Sequence, residues 1–268
     1  MQPKPDFLGP QAAAAFQDPS VAAAYRYRPP YPPEVFDILA ELIVDRPRHV
    51  LDVGAGTGAL ARHLIEWADR VDAVDVSREM IDRGKCLPRG DDSRLTWIVG
   101  PVEEVALRPP YALIAAGDSL HWMEWDVVMP RFARMLTPGG SLAILGVEQL
   151  PAPWDADLWP IRRRYSTIPN FQHYDHVKGL EDRGLFRRIG TRRTEPIRFT
   201  QSLDAYVESF HGRAAFSRER MSPADAAALD AEVRELVSPF CPGTVELRLV
   251  TEVVWGKPLQ PDVAGPET

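Results

Sequence analysis

A glycine-rich stretch, Gly54-Ala55-Gly56-Thr57-Gly58, follows the short apolar run His49-Val50-Leu51-Asp52-Val53. A turn of this kind between a strand and a helix lets a ligand approach the backbone closely, because glycine has no Cβ to keep it away. Asp75 closes a second apolar run, 21 residues after Gly54. A carboxylate at a strand end can accept hydrogen bonds from both hydroxyls of a ribose. Loop and acid together predict a cofactor built on a nucleoside. The plainer alternatives are a tight turn that needs glycine for geometry, and an Asp that caps the helix opening near Ser77. The loop also satisfies the looser spacing Gly54-x-Gly56-x-x-Ala59, so alone it does not separate nicotinamide from other adenosyl cofactors.

Strands and helices must hold these groups in place. From residue 49 the chain alternates between them. Apolar strands are expected over 49–53, 71–76, 95–99, 111–116 and 141–147. The helix after Ser77 has Met80 and Ile81 as its apolar positions, and that over 125–136 stops at the breaker cluster Thr137-Pro138-Gly139-Gly140. Such alternation implies a parallel sheet covered on both faces. Before it, 16–42 reads as helical segments broken by Arg28-Pro29-Pro30-Tyr31-Pro32-Pro33, with Pro33 opening a helix over 34–44. After residue 150 a loop with a short helix is expected over 151–176. Strand-like alternation follows over 185–199, then helices over 203–216 and 223–237 and a strand over 245–255. The expected organisation is an N-terminal helical lid (1–44), a binding core (45–150), a cap insertion with the remaining strands of the same domain (151–257) and a flexible tail (258–268).

Taken together, five segments resemble the class I S-adenosylmethionine-dependent methyltransferases. They are Leu51-Asp52-Val53-Gly54-Ala55-Gly56-Thr57-Gly58, Val74-Asp75-Val76-Ser77, Gly100-Pro101-Val102-Glu103, His121-Trp122 and Leu136-Thr137-Pro138-Gly139-Gly140, in that family's order across residues 45–150. The proline elbow and the His-Trp pair are similar to the small-molecule subgroup that includes trans-aconitate methyltransferase-like proteins. The resemblance implies an α/β, doubly wound, seven-stranded, mostly parallel sheet with helical cap and lid elements, and S-adenosyl-L-methionine as cofactor. It implies that Asp52, Gly54, Ala55, Gly56 and Gly58 wrap the methionine moiety and that Asp75 takes the ribose. Val76 and Met80 would pack on the adenine, with Val102 and Glu103 along its edge. Ala116 and Gly117 would lie beside the sulfonium, and Tyr25, Arg28 and Tyr31 would come from the lid. Relatives that carry an Asp before the residue matching Val102 differ from this chain, which has Pro101 there.

Methyl transfer from a sulfonium is an in-line displacement, helped by positioning and by exclusion of water. A carboxylate acceptor needs no base, whereas a phenol or amine can need one. His121 is the candidate base, and Trp122 a candidate wall of the acceptor pocket. The bland readings are a structural His beside Trp122 and an ordinary core aromatic. Asp118 faces the cofactor or merely opens the next helix. Residues 161–200 hold ten Lys/Arg against four Asp/Glu. A solvated edge-strand face explains this; the sharper expectation is an anionic acceptor held by Arg162, Arg163 and Arg164.

Composition narrows the class. Thirty-one Lys+Arg against 38 Asp+Glu give the 268-residue chain a net charge of −7, so a whole-protein basic field for nucleic acid or anionic lipid is absent. The two cysteines, Cys86 and Cys241, fit neither a zinc pattern nor a disulfide framework, and a reducing cytoplasm is expected. No membrane segment, metal or nucleic-acid partner is expected, and the oligomeric state is not written in the sequence. Three rivals stand beside a small-molecule methyltransferase. A nucleic-acid methyltransferase would place Asp/Asn-Pro-Pro-aromatic where this chain has Ala116-Gly117-Asp118-Ser119. A nicotinamide oxidoreductase shares only the looser glycine spacing. A protein that binds S-adenosylmethionine without transferring its methyl shares the whole loop.

Overall fold

The computed structural model describes residues 4–169 and 174–260. Five parallel strands form its centre: β1 (His49–Val53), β2 (Arg70–Asp75), β3 (Leu95–Val99), β4 (Tyr111–Gly117) and β5 (Leu136–Gln149). Three more, β6 (Phe186–Arg193), β7 (Ile197–Ser202) and β8 (Thr244–Pro258), complete the sheet. The order is β3-β2-β1-β4-β5-β8-β6, with β7 also on β8. β8 runs antiparallel to β5, β6 and β7. The sequence predicts seven strands, and eight are present in seven rows. β6 pairs with residues 252–258 of β8 and β7 with residues 244–249, so both occupy the same edge row. Thr194-Glu195-Pro196 interrupts that edge, where proline cannot donate to a ladder.

β1 and β4 are almost entirely buried, as expected of parallel strands covered on both faces. Their order reverses between β1 and β4, which opens a crevice at the C-terminal ends of the strands where ligands bind in doubly wound sheets. Within the sheet, Tyr111 Oη donates to Asp72 Oδ2 at 2.8 Å, tying β2 to the start of β4 across β1.

Helices α1 (Pro10–Ala13) and α2 (Pro19–Ala24) precede the sheet, followed by α3 (Glu34–Glu41), α4 (Ala61–Leu64), α5 (Arg78–Lys85) and α6 (Trp125–Met135). Beyond β5 come α7 (Asp155–Tyr165), α8 (His176–Asp182), α9 (Leu203–Glu208) and α10 (Pro223–Val237). The sequence assigns all of 1–44 to a lid. However, α3 packs Val35, Ile38 and Leu39 into the core with Leu64 and Val71, so only the segment before the proline elbow is free to cover anything. Leu51, Ile114, Val128 and Phe132 build the core on the opposite face. A third cluster, with Trp154, Leu158, Phe210, Leu229 and Leu247, gives the cap its own core. β8 spans both, because its first half carries cap residues and its second half completes the sheet.

Other boundaries also move. The expected breaker Thr137-Pro138-Gly139-Gly140 lies inside β5, where the register jumps from Tyr111↔Leu136 to Leu113↔Ser141 and absorbs the extra residues. The helix over 34–44 ends at Glu41, and that over 203–216 ends at Glu208 and continues as 3-10 turns, Ser209–Gly212 and Ala214–Phe216. β8 reaches Pro258, inside the segment expected to be tail, and residues 261–268 of that expectation lie outside the described residues. No described helix is long and apolar enough to cross a membrane. No group of three His, Cys, Asp or Glu among the described residues could hold a metal ion.

Candidate active site

The glycine loop leaves β1 with Gly54, Gly56 and Gly58 all at positive φ, +66°, +55° and +75°. That conformation strains any residue with a Cβ. A side chain at Gly54 would also overlap Ser119, and one at Gly58 would overlap the Trp97 ring. Behind the loop, Asp52 Oδ2 accepts from the amide of Ala61 at 3.0 Å. Burial pushes the Asp52 carboxyl up to about 7 against that hydrogen bond. Asp75 holds the loop from the front. Its Oδ2 accepts from the amide of Gly56 and its Oδ1 from that of Ser77, both at 2.7 Å. Each oxygen keeps a lone pair. Ser77 caps α5 by accepting from Met80 N at 3.3 Å.

A cavity of about 380 Å³ opens over this loop. Gly54, Gly56 and Asp75 form one end of its wall, Val76, Met80 and Val102 an apolar slot, and Gly100, Pro101 and Glu103 its far edge. Glu103 Oε1 accepts from the amide of Glu124 at 3.0 Å, which fixes its carboxylate there. The roof comes from the N-terminal segment, with Pro10, Ala13, Phe16, Tyr25 and Arg28 on the wall. An acid with a free lone pair on each oxygen, an apolar slot and a carboxylate-lined wall fit an adenosine bearing a positively charged sulfonium side chain.

Arg28 lies with its guanidinium 5.2 Å from the Tyr25 ring centroid. The roof is fastened from outside the cavity: Asp18 accepts from Ser217 Oγ and Arg220 Nε, both at 2.6 Å, and Glu219 accepts from Ser20 N at 2.9 Å. Asp18 precedes α2 at its N-cap position but makes no capping hydrogen bond, because its carboxylate is engaged by these partners.

A larger cavity, about 850 Å³, adjoins the first, and Phe16, Arg28, Asp118 and Trp122 line both. Asp118 sits just beyond β4 at φ +50°, a region that Asp tolerates better than most residues. Its Oδ2 lies 3.5 Å from both Tyr31 Oη and Val147 N. Burial raises the Asp118 carboxyl, against the nearby Arg28. His121 stands 4.6 Å from the Trp122 ring and 5.5 Å from the His176 ring, centroid to centroid. Burial, with His176, Lys4 and Arg28 nearby, pulls the His121 imidazole down to about 3. It is therefore neutral at physiological pH, with little affinity for a proton. Arg162 and Arg163 line this cavity, as does Arg213 from the turn after α9.

The predicted residues divide accordingly. Tyr25, Arg28, Gly54, Gly56, Asp75, Val76, Met80, Val102, Glu103 and Gly117 meet on the smaller cavity. Asp52, Ala55, Gly58 and Ala116 do not line it; they lie behind the wall and hold its shape. Among the predicted acceptor residues, His121, Trp122, Arg162 and Arg163 line the larger cavity. Tyr31 lies against Gly117 instead, with its hydroxyl toward Asp118. Arg164 points away from it, into an ion pair with Glu232 at 2.8 Å. Six further cations of the basic segment are also ion-paired: Lys178, Arg183, Arg188, Arg192, Arg193 and Arg198. For these the solvated-face reading suffices. Sequence reasoning missed Arg213, Tyr174 and His176. Arg213 was hidden in a run that reads as helix, although Gly212 before it marks the break.

Residues 50–140 match the family model described as a methyltransferase domain. The chain is 35% identical over 127 residues to an uncharacterized methyltransferase of Mycobacterium tuberculosis, covering 47% of this chain and 49% of that protein. It is 33% identical over 158 residues to the trans-aconitate 2-methyltransferase of Mycolicibacterium gilvum, covering 58% and 55%. The chain thus spans about half the length of the curated relatives it matches. Among solved structures, one from Anaeromyxobacter dehalogenans named for a type II methyltransferase superposes with a TM-score of 0.62 at 23% identity, covering 86% of this chain and 97% of that one. That likeness is one of fold.

Proposed function

We propose that this chain, whose residues 50–140 match a methyltransferase domain, is a class I S-adenosylmethionine-dependent methyltransferase that transfers the methyl group to an oxygen of a small anionic molecule. The observation that carries the reading is the contact between the two cavities. Phe16, Arg28, Asp118 and Trp122 belong to both walls, so a donor in the smaller cavity faces an acceptor in the larger one. A protein that only stored the cofactor would have no use for the second chamber.

When bound, S-adenosylmethionine supplies an activated methyl. With that methyl, the O–CH₃ bond would form as the S–CH₃ bond breaks, the bonding pair staying on sulfur and S-adenosylhomocysteine leaving. The chain's own residues position and desolvate. Asp75 would accept from the ribose, Val76, Met80 and Val102 would enclose the adenine, and the N-terminal roof would keep water out. His121, held near pKa 3, is too weak a base to take a proton from a phenol. An acceptor already ionised at neutral pH, a carboxylate, needs none. This fits Arg28, Arg162 and Arg213 on the acceptor side.

Calorimetric titration with S-adenosylmethionine, S-adenosylhomocysteine and a nicotinamide dinucleotide tests the cofactor. The reading requires that both sulfur compounds bind and the dinucleotide does not; the reverse pattern overturns it.

A further inference from the structure

Four arginines line the larger cavity: Arg28 at the start of the proline elbow, Arg162 and Arg163 on α7, and Arg213 in the turn after α9. Among the described residues, none of their guanidinium groups makes a hydrogen bond or ion pair, and Arg162 Nε is buried with no hydrogen-bond partner; Arg28, Arg162 and Arg213 lie instead over the rings of Tyr25, Trp159 and Phe210. Arg164 and Arg218 follow the opposite pattern, with Arg164 on Glu232 and Arg218 on Glu208 and Asp230. Buried polar groups left unpaired are costly, so such a set is a binding surface.

The four are not equivalent. Arg28 has Asp118 as its nearest acid, and Arg162 has Asp155. Arg213 has no acid of its own. Burial and the repulsion of Arg162 and Arg28 pull its pKa down, with Tyr206 and Asp118 only partly opposing them. Four cations and two acids leave two positive charges: one on Arg163, which is exposed, and one on the half-buried Arg213, which lies within the fields of Arg28 and Asp118 where the two cavities join. Phe7, Trp122, Trp159, Ile168 and Phe216 give the wall a broad apolar part, beside the polar His121, Ser166, Tyr174 and His176. A chamber of about 850 Å³ is far more than a small polycarboxylate fills, and its apolar part has room for a larger hydrophobic body.

We infer that Arg213 is the specificity residue of the acceptor site, and that the site takes a bulky aryl or long-chain monocarboxylic acid. The inference rests on the methyl-transfer reading. The carboxylate lies on Arg213 with one oxygen toward the cofactor side and the apolar body along Trp122, Trp159 and Phe216. Transfer there makes a methyl ester and releases S-adenosylhomocysteine, with no proton left to place. Arg213 owes its position to the turn that carries it. There the fully buried His211 contacts Phe216 O at 2.7 Å through Nδ1 and Asp230 Oδ1 at 2.8 Å through Nε2.

The test measures binding to the full chain saturated with S-adenosylhomocysteine, by calorimetry and tryptophan fluorescence, using decanoate, 3-phenylpropanoate, decanamide and citrate as probes. At least one of the two monocarboxylates should bind at least about tenfold tighter than both decanamide and citrate. In Arg213→Gln that preference over the amide should vanish while S-adenosylhomocysteine affinity stays within about twofold; Arg213→Lys should restore part of it. Citrate binding as well as the bulky acids, no acid binding at millimolar concentration, or an Arg213→Gln protein that keeps the preference would each overturn the assignment. If S-adenosylhomocysteine fails to bind, the methyl-donor reading falls instead, and the acid titrations of the cofactor-free protein still decide the role of Arg213.

Discussion

The amide of Gly56 donates to Oδ2 of Asp75 at 2.7 Å, so the loop that receives the cofactor is pinned by the acid proposed to hold its ribose. With Ser77 N on the other oxygen, the carboxylate is oriented before any ligand arrives. Asp75→Asn presents an amide N–H₂ to one of these donors and loses an acceptor for a hydroxyl. S-adenosylmethionine affinity should fall by about tenfold or more, measured by calorimetry. An unchanged affinity would remove Asp75 from the site.

Gly54→Ala places a Cβ at φ +66° and onto Ser119. The left-handed conformation alone costs about 1–2 kcal/mol for a residue with a side chain. The variant should melt several degrees lower and bind S-adenosylmethionine markedly more weakly. Differential scanning fluorimetry with and without the cofactor separates the two effects.

Stability should depend on pH through Asp52. Its folded pKa, about 7, lies above the ordinary Asp value of about 3.9. Between those values the folded state binds the proton more tightly, so the cofactor-free protein loses stability as pH rises from about 4 to about 7. Asp75 and Asp118, also raised by burial, act in the same direction. Asp52→Asn, which can still accept from Ala61 N, should flatten the fall in melting temperature across this window.

Because His121 is held near pKa 3, it is neutral at neutral pH and takes up a further proton only weakly. His121→Asn should lower kcat by less than about tenfold, below the usual contribution of a general base. The pH–rate profile of the wild-type enzyme should show no limb near 6.5 that disappears in the variant. A loss of about 10³ with such a limb would make His121 the base.

The roof is fastened to the cap by Asp18 with Ser217 and Arg220, outside both cavities. Asp18→Ala should release it. Dissociation of S-adenosylhomocysteine, followed by stopped flow, should be about tenfold faster while the melting temperature of the core changes little. Equal release rates would mean that the N-terminal segment does not gate the cofactor.

The sheet was legible because its physics is local. His49–Val53 and Leu95–Val99 are apolar runs bounded by turns, and Pro223–Val237 has a Ser cap and a proline start, so their limits follow from sequence. Ser77 as an N-cap is equally local. The glycine loop could be read as a cofactor site, but not which of its residues face the ligand. Asp52, Gly58 and Ala116 lie behind the wall, a distinction set by packing against Ala61, Trp97 and the core. The arginines show the same limit. Arg162, Arg163 and Arg164 are adjacent on one helix, about 100° apart, so they cannot all face one cavity, and Glu232 claims the third. Arg213 reaches that cavity from 50 residues further on, through a turn that only the cap's own core creates. The double strand in one edge row depends on where Pro196 breaks the ladder, a tertiary matter.

The central claim is that the methyl group leaves S-adenosylmethionine for a carboxylate in the second cavity. The most direct measurement incubates the full chain with methyl-labelled S-adenosylmethionine and a panel of carboxylic acids, phenols and amines, and follows label in base-labile methyl esters. The account expects label in an ester of at least one acid, dependent on Asp75, with S-adenosylhomocysteine formed in equal amount. Label appearing only in phenols or amines, or bound S-adenosylmethionine with no label moved to any acceptor, would contradict it.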